Sequence, residues 1–132
     1  FEAREADVTR FAFPLGNLFL AHYTLHFVPI PERLRLLSTL YRALEPGGAL
    51  VLYEKVRASH NKTQRVMEGL YDAYKLASGF TEEQVENKRR LLCGMLEPLT
   101  GEQNRKALCD AGFESVEIIH RFHCFEGYLA IK

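Results

Sequence analysis

The sequence has no excess of either charge, because 17 basic and 17 acidic side chains balance to a formal net charge of zero. Domains that hold nucleic acid through its phosphates are usually basic, so we expect no direct nucleic-acid binding. No apolar run approaches the roughly 20 residues needed to cross a bilayer, so we expect no membrane partner. With 47% hydrophobic residues in 132, the chain has the composition of one folded domain or part of one.

Cysteine is scarce and widely spaced: Cys93, Cys109 and Cys124 are the three in the chain. An odd number at these spacings fits neither a disulfide framework nor a zinc site. We therefore expect free thiols and a reducing, cytoplasmic location. His120 and His123 precede Cys124, but their side chains would point to opposite faces of an extended strand, so we expect no metal there.

Hydrophobic periodicity predicts an α/β fold. The predicted strands lie at 1–6, 18–21, 49–52, 115–120 and 128–131. The predicted helices lie at 31–44 and 62–77, and two more begin with capping boxes at 81–84 and 100–103. The first strands are separated by helices, which implies a parallel sheet, with 18–21 buried on both faces. A hairpin turn at Glu126-Gly127 would make the last strand antiparallel.

The sequence also lacks a glycine-rich phosphate loop. Pro46-Gly47-Gly48 comes before a strand, so it ends a helix and cannot cradle a phosphate. In open α/β sheets the ligand binds beyond the carboxyl ends of the strands, and the first strand with its glycine-rich turn usually completes that site. We therefore expect the C-terminal portion of a doubly wound domain, with a helical insertion at about 59–98.

Arg89 is the most informative candidate residue. Helical spacing places it on the same stripe as Val85 and Leu92. A buried unpaired charge is very costly, so this arginine must meet an anion or lie at the rim of a cleft. Its planar fork suits a carboxylate. An internal salt bridge or a snorkelling side chain is the alternative. Arg90 is different, because it faces Glu86 in a surface pair.

Other candidates follow predicted strand ends. Asp7 could accept a hydrogen bond from a ligand amine or simply start a turn. His22 could point into the cleft or pack as a neutral histidine. Glu54 and Lys55 could face a substrate or mark where the strand reaches water. Tyr71 and Tyr74, one helical turn apart, suggest a lid or subunit contact, or plain packing.

Two segments resemble the class I S-adenosylmethionine-dependent methyltransferase fold: Pro-Gly-Gly before an apolar strand, and LCDAGF at 108–113. Longer segments are similar to the carboxy-S-adenosyl-L-methionine synthases. They are ADVT, AHYTLHFVPIPER, GGALVLYEK, YKLASGF and NKRRLL. The similarity runs over nearly the whole chain, and it implies an incomplete Rossmann-like domain.

This resemblance implies a homodimeric enzyme that uses S-adenosylmethionine and prephenate to make carboxy-S-adenosylmethionine and phenylpyruvate. A separate enzyme would then modify the wobble uridine of tRNA. Asp7 and Val8 match family residues that hold the adenine end of the cofactor, and Arg89 matches the arginine that binds the added carboxylate. His22 stands where the family has a cofactor-contacting asparagine. His26 stands in place of a glutamine, and the family pattern supplies no evident general base.

Two other functions are compatible with the sequence. One is a methyltransferase that acts on another small molecule or a tRNA base. The other is a non-catalytic piece that mediates association through an open sheet edge and the insertion at 59–98. The chain alone, without a first half, is expected to be inactive.

Overall fold

A computed structural model describes residues 3–132. Its strands are β1 (Gly16–His22), β2 (Leu44–Lys55), β3 (Ser115–Phe122) and β4 (Phe125–Ile131). Its helices are α1 (Ile30–Ala43), α2 (Asn61–Ala77), α3 (Glu82–Leu92) and α4 (Gly101–Asp110), and a short 3-10 helix (Leu25–Phe27) follows β1. The four strands form one sheet in the order β1-β2-β4-β3.

The predicted α/β fold is confirmed. β1 and β2 are parallel, as expected for strands joined by a helix, while β4 is antiparallel to both of its neighbours. The last strand of the chain is therefore the antiparallel one, although it lies inside the sheet between β2 and β3. This is a partial Rossmann-like sheet, flanked by helices.

The hydrophobic core lies on one face of the sheet. Leu50 and Leu52 alternate along β2, so both point to the same face, and both are buried. They pack with buried leucines of α1 and with Leu108 of α4. The stripe of α1 that meets the sheet has helical spacing and consists of Leu36, Leu37 and Leu40.

The opposite face of β1 is open, which corrects the expectation of burial on both faces. Leu18 and Leu20 are 63% and 65% exposed, while Phe19, which alternates with them, packs against the core. An apolar run predicts a strand, but it does not say which neighbours cover each face. Within residues 3–132, α1 and α4 cover only the face that carries Phe19.

The hairpin turn predicted at Glu126-Gly127 is wrong. The chain turns at 123–124, where His123 has a φ of +49°, and β4 already includes Gly127. Gly127 is required for close approach instead, because a Cβ there would lie 2.6 Å from the ring of Tyr53. An acidic residue followed by glycine is a common turn pattern in sequences. Here the missing side chain of the glycine makes room for an aromatic ring on the neighbouring strand.

Two further boundaries differ from the prediction. Residues 3–6 form no strand, and Phe1 and Glu2 of the predicted 1–6 strand lie outside the described residues. α1 ends at Ala43 and strand pairing starts at Leu44, before Pro46-Gly47-Gly48. Both capping boxes are confirmed: the side chains of Thr81 and Thr100 accept hydrogen bonds from the amides three residues later.

Two leucines of α1 test where the core lies. Leu37 is 1% exposed and Leu34 is 42% exposed. We expect Leu37→Ala to lower the free energy of unfolding by about 2–5 kcal/mol, because it leaves a cavity in the core. Leu34→Ala should change it by less than about 0.5 kcal/mol. Urea unfolding followed by circular dichroism measures both, and equal effects would contradict the placement of the core.

Candidate functional site

The parallel strands β1 and β2 end side by side, and this edge of the sheet carries the candidate site. His22 is paired with Tyr53 in the register, and the amide of Tyr23 donates to the carbonyl oxygen of Tyr53 at 2.8 Å. Tyr23 has a φ of +54°, so the chain bends sharply after β1. The bend brings the 3-10 helix next to the end of β2.

Glu54, near the end of β2, holds this bend in place. Its Oε1 accepts a hydrogen bond from the amide of Leu25 at 2.9 Å, and its Oε2 lies 2.8 Å from Nδ1 of His26. Both side chains are buried. The sequence suggested that Glu54 would face substrate or water, and it does neither. It instead satisfies a backbone donor at the start of the 3-10 helix.

A cavity of about 450 Å³ lies beside this bend. Asp7 and Val8 line it together with Tyr23 and Thr24. The Asp7 Oδ1 accepts hydrogen bonds from the amide and the hydroxyl of Thr9, at 2.9 and 2.7 Å. These two bonds lower the pKa of Asp7, so the carboxylate is charged and presents acceptor oxygens at the rim.

A second cavity, of about 690 Å³, adjoins the first, and Tyr23 and Phe27 line both. Its walls come from the bend after β1, the end of β2, α2, α3 and the β3–β4 hairpin. Tyr71, Phe122 and Phe125 supply aromatic surface. Four cations and two carboxylates also line it: Lys55, Lys75, Lys88, Arg89, Glu68 and Asp72. An aromatic cavity with an excess of cations suits a small anionic ligand that carries a flat ring.

Burial changes the acidity of three groups at this cavity. It raises the pKa of the Cys124 thiol and of the Tyr23 and Tyr71 phenols. These groups therefore stay protonated at neutral pH, and Cys124 is not an activated nucleophile. Within residues 3–132, no group of three metal-ligating side chains is close enough to hold an ion.

Arg89 lies at the wall of the larger cavity, but not as a buried residue. Its side chain is 58% exposed, whereas Val85 on the same helix is buried. The guanidinium pairs with Asp72 of α2 and with Glu86, whose Oε2 lies 2.5 Å from Nη1. Arg89 therefore lies at the rim of a cleft and also forms an internal salt bridge. The predicted surface pair of Arg90 and Glu86 is confirmed, at 3.3 Å.

The carboxylates around Arg89 affect its pKa and its ion pairing. The Asp72 carboxylate raises the pKa of Arg89. Partial burial raises the pKa of Asp72, but the hydrogen bond from Lys75 and the charges of Lys75 and Arg89 outweigh burial, so the net shift is downward. Lys75 lies 2.6 Å from Asp72 and also 4.7 Å above the ring of Tyr71. Asp72 is thus shared between two cations, which leaves Arg89 with donors to spare.

His22 lies outside the two cavities. Its exposed ring sits against Tyr23 and Tyr53, with centroids 4.1 and 5.6 Å apart. The role predicted for it remains a prediction. Sequence reasoning missed the pair of Glu54 and His26. The available signal was a charged residue at the end of an otherwise apolar strand.

No family model matches the chain. Two curated relatives are carboxy-S-adenosyl-L-methionine synthases. The one from Staphylococcus epidermidis is 33% identical over 126 residues, which is 96% of this chain and 55% of that protein. The one from Wolinella succinogenes is 34% identical over 128 residues, which is 97% of this chain and 53% of that protein. The chain thus spans about half the length of the curated relatives it matches.

Several solved structures with the same fold are methyltransferases. Human N-acetylserotonin methyltransferase in complex with SAM superposes with a TM-score of 0.64, 21% identity and coverage of 98% of this chain and 33% of that chain. The S-adenosylmethionine-dependent methyltransferase SibL, in its apo form, gives 0.68 and 17%, with coverage of 98% and 35%. At these identities the likeness shows the fold.

Within residues 3–132, no helix is long and apolar enough to span a membrane. The sheet order, the cavities at the ends of its parallel strands and the similarity over almost the whole chain agree. The chain is thus similar over almost its whole length to carboxy-S-adenosyl-L-methionine synthases, and it has the fold of part of these methyltransferases.

Proposed function

We propose that the protein containing this chain makes carboxy-S-adenosylmethionine and phenylpyruvate from S-adenosylmethionine and prephenate. Its product would serve the modification of the wobble uridine of tRNA by another enzyme. Two curated relatives carry the name of this activity and match the chain almost from end to end. The aromatic cavity with four cations suits prephenate, which is a dicarboxylate with a six-membered ring.

The observation that carries the proposal is the arrangement of the adjoining cavities. Asp7 and Val8 line one, Arg89 lines the other, and Tyr23 lies in both linings. A nucleoside with a sulfonium side chain would place its base near Asp7 and its reacting end near Arg89. The positive sulfur makes the hydrogens of its methyl group more acidic.

The donor set fits this ligand at both ends. Asp7 is charged and offers acceptor oxygens to an adenine amine or a ribose hydroxyl. Arg89 offers a planar fork, half-exposed at the cavity wall, to the carboxylate of the product. Such a contact also distinguishes carboxy-S-adenosylmethionine from S-adenosylmethionine, because the latter leaves the guanidinium without a ligand partner.

We infer a homodimer, with no direct contact to nucleic acid, in a reducing cytoplasm. The three cysteines are free thiols in the structure, two of them exposed, which suits that compartment. The predicted insertion at 59–98, most of which is formed by α2 and α3, supplies more than half of the residues that line the larger cavity.

Arg89 and Arg90 give a matched pair for the first test, since only Arg89 lines the cavity. In the full-length protein we expect Arg89→Ala to weaken carboxy-S-adenosylmethionine binding by about 30-fold, or about 2 kcal/mol, because the ligand carboxylate loses its partner. Binding of S-adenosylmethionine should change by less than about threefold. Arg90→Ala should leave both affinities within about threefold, because it removes an exposed pair.

Calorimetry measures both affinities, and mass spectrometry of the reaction with prephenate measures the product. The expected product is heavier than S-adenosylmethionine by the mass of carbon dioxide. If the wild-type protein binds the unmodified cofactor equally well, forms no such product and methylates another acceptor, a methyltransferase function replaces the proposed one.

Asp72→Asn tests how Arg89 is shared. Removing the competing carboxylate should strengthen carboxy-S-adenosylmethionine binding by a few fold, because Arg89 keeps only Glu86 as a partner in the protein. The folded-state pKa of Asp72 is lowered, so its stabilising effect is present above its unfolded value and disappears as the pH falls through the folded value. The variant should therefore be less stable at pH 7, by under about 1 kcal/mol, and the difference should disappear as the pH falls through the folded-state value of Asp72. Weaker ligand binding in the variant would contradict this competition.

A second candidate function, association without catalysis, is favoured by exposed apolar side chains. Leu18 and Leu20 of β1 and Val66 and Leu70 of α2 are all more than half exposed. Apolar surface of this kind marks contact sites in many proteins. Association through these surfaces does not by itself separate the two functions, because the proposed enzyme is also a dimer.

The association of the chain tests whether the exposed face of β1 is a contact surface. We expect the 132-residue chain to self-associate in sedimentation experiments, and Leu18→Lys with Leu20→Lys to reduce that association at least tenfold. The single substitution Leu34→Lys on α1 is the control and should leave the association unchanged. A monomeric wild-type chain would rule out association through β1.

A further inference from the structure

Lys55 is a cation at the wall of the larger cavity that the protein leaves unpaired. It is the last residue of β2, it is half-buried, and it lines the cavity. Within residues 3–132, its ammonium makes no hydrogen bond or ion pair with another group. A cation that is partly removed from water is stabilised by a counter-ion. A ligand anion in the cavity would supply the partner that this position lacks.

The other cations of the cavity are compensated in different ways. Asp72 lies 2.6 Å from the ammonium of Lys75, and it also pairs with Arg89. Lys88 is exposed on α3, so water hydrates its charge. Lys55 has neither an acidic partner nor full exposure. It is therefore the cavity cation with the most to gain from an anionic ligand.

The backbone at the end of β2 is held firmly. Lys55 pairs with Phe125 in the antiparallel register, and the next amide, that of Val56, donates to the carbonyl oxygen of Cys124 at 2.8 Å. The β3–β4 hairpin thus fixes the strand end that carries the ammonium. Little backbone order is lost when such a group binds a ligand, so more of the contact energy appears as affinity.

Aromatic surface lies directly beside this ammonium. Residues that are opposite each other in an antiparallel pair have their side chains on the same face, so Lys55 and Phe125 are neighbours. The ring of Phe125 is 5.2 Å from that of Tyr71 and 5.1 Å from that of Tyr23, centroid to centroid. A cation and a set of aromatic rings therefore meet at one place, where a carboxylate attached to a ring system can contact both.

The acidity of the buried Cys124 thiol indicates that two ammoniums share this part of the cavity. Burial raises the pKa of Cys124, while the positive charges of Lys55 and Lys75 act against that increase. Glu68 acts in the same direction as burial, and its carboxylate accepts a hydrogen bond from Gln64 at 2.7 Å. Within residues 3–132, Glu68 forms no ion pair, so it does not neutralise either lysine by direct contact.

We propose, on the basis of the proposed function, that Lys55 binds the 2-oxo acid side chain of prephenate and so determines the orientation of this substrate. Prephenate has one carboxylate on its ring and another at the end of a pyruvyl side chain. An ammonium has three donors around a single point charge, so it can bind the pyruvyl carboxylate and the adjacent 2-oxo oxygen together. The six-membered ring would then lie against Phe125 and Tyr71.

The chemistry decides which carboxylate Lys55 binds. In the proposed reaction the ring carboxylate leaves as carbon dioxide, the electron pair of the broken C–C bond makes the ring aromatic, and hydroxide leaves with the C–O pair. The methyl group of S-adenosylmethionine loses a proton, its C–H pair forms the bond to carbon dioxide, and the proton and the hydroxide make water. A cation on the ring carboxylate would stabilise the charge that has to leave. A cation on the pyruvyl carboxylate does not oppose this step.

Phenylpyruvate is the probe for this contact, because it has the ring and the 2-oxo acid but no ring carboxylate. In the full-length protein we expect Lys55→Gln to weaken phenylpyruvate binding by about tenfold or more, since the carboxylate loses its counter-ion. Lys55→Arg should stay within about fivefold of wild type, because the charge remains. Lys62→Gln is the control, since Lys62 is exposed and is not part of the cavity lining. Calorimetry measures these affinities.

Steady-state kinetics with prephenate separates a contact to substrate from a structural role. We expect Lys55→Gln to raise the KM for prephenate by about tenfold or more and to leave kcat within about threefold, because the lost contact is the same in the ground state and in the transition state. Its affinity for carboxy-S-adenosylmethionine should also stay within about threefold. A structural role would instead lower kcat and the affinity for the cofactor together.

Carbon-13 NMR of labelled lysines in the wild-type protein tests the contact without any loss of folding. Saturating phenylpyruvate should shift the ε-methylene signal of Lys55, identified by its absence from the Lys55→Arg spectrum, and leave that of Lys62 in place. An unshifted Lys55 signal would overturn the proposal. Equal phenylpyruvate affinity in wild type and Lys55→Gln would also overturn it and would mean that the ammonium only extends into water.

The two proposals fail in different ways. A wild-type enzyme that makes the carboxylated product, with an unchanged prephenate KM in Lys55→Gln, would overturn the role of Lys55 and leave the proposed function standing. A wild-type protein that makes no such product but binds phenylpyruvate through Lys55 would reject the proposed function, while the subsite for a 2-oxo acid would be supported.

Discussion

The buried carboxylate of Glu54 joins the two parallel strands to the loop that lines both cavities. A charge removed from water is costly unless hydrogen bonds replace its hydration, and Glu54 has such bonds from the amide of Leu25 and from His26. Those bonds fix the 3-10 helix, and with it Tyr23 and Phe27, which line both cavities. The shape of both cavities therefore depends on a residue that lines neither of them.

α3 meets the site through charges more than through apolar packing. Val85 is its buried residue, while Arg89 reaches across to Asp72 of α2. Exposed ion pairs contribute little to stability, so this contact orients the arginine more than it holds the helices together. Lys75 binds the same carboxylate, and this second cation keeps Arg89 from being fully neutralised at the cavity wall.

Local signals in the sequence predicted most of the fold, and contacts between distant residues decided the rest. The capping boxes at Thr81 and Thr100 act within one helical turn, so a pattern of four consecutive residues was enough to predict each of them. His26 and Glu54 are 28 positions apart, and the local sequence around either residue does not indicate that the two are in contact. Spacing placed Arg89 on the stripe of Val85, but only the fold brings Asp72 close enough to hold it at the surface.

The zero net charge of the chain conceals a local separation of charge. Four cations and two carboxylates line the larger cavity, so the compensating acidic side chains lie elsewhere on the surface. At physiological ionic strength charges are screened over about 8 Å, so a distant polyanion meets a neutral protein while a small carboxylate inside the cavity meets the local cations. In the proposed function, this local charge favours a small anion over a large one. The aromatic surface of Tyr71 and Phe125 adds a preference for a ligand with a flat ring.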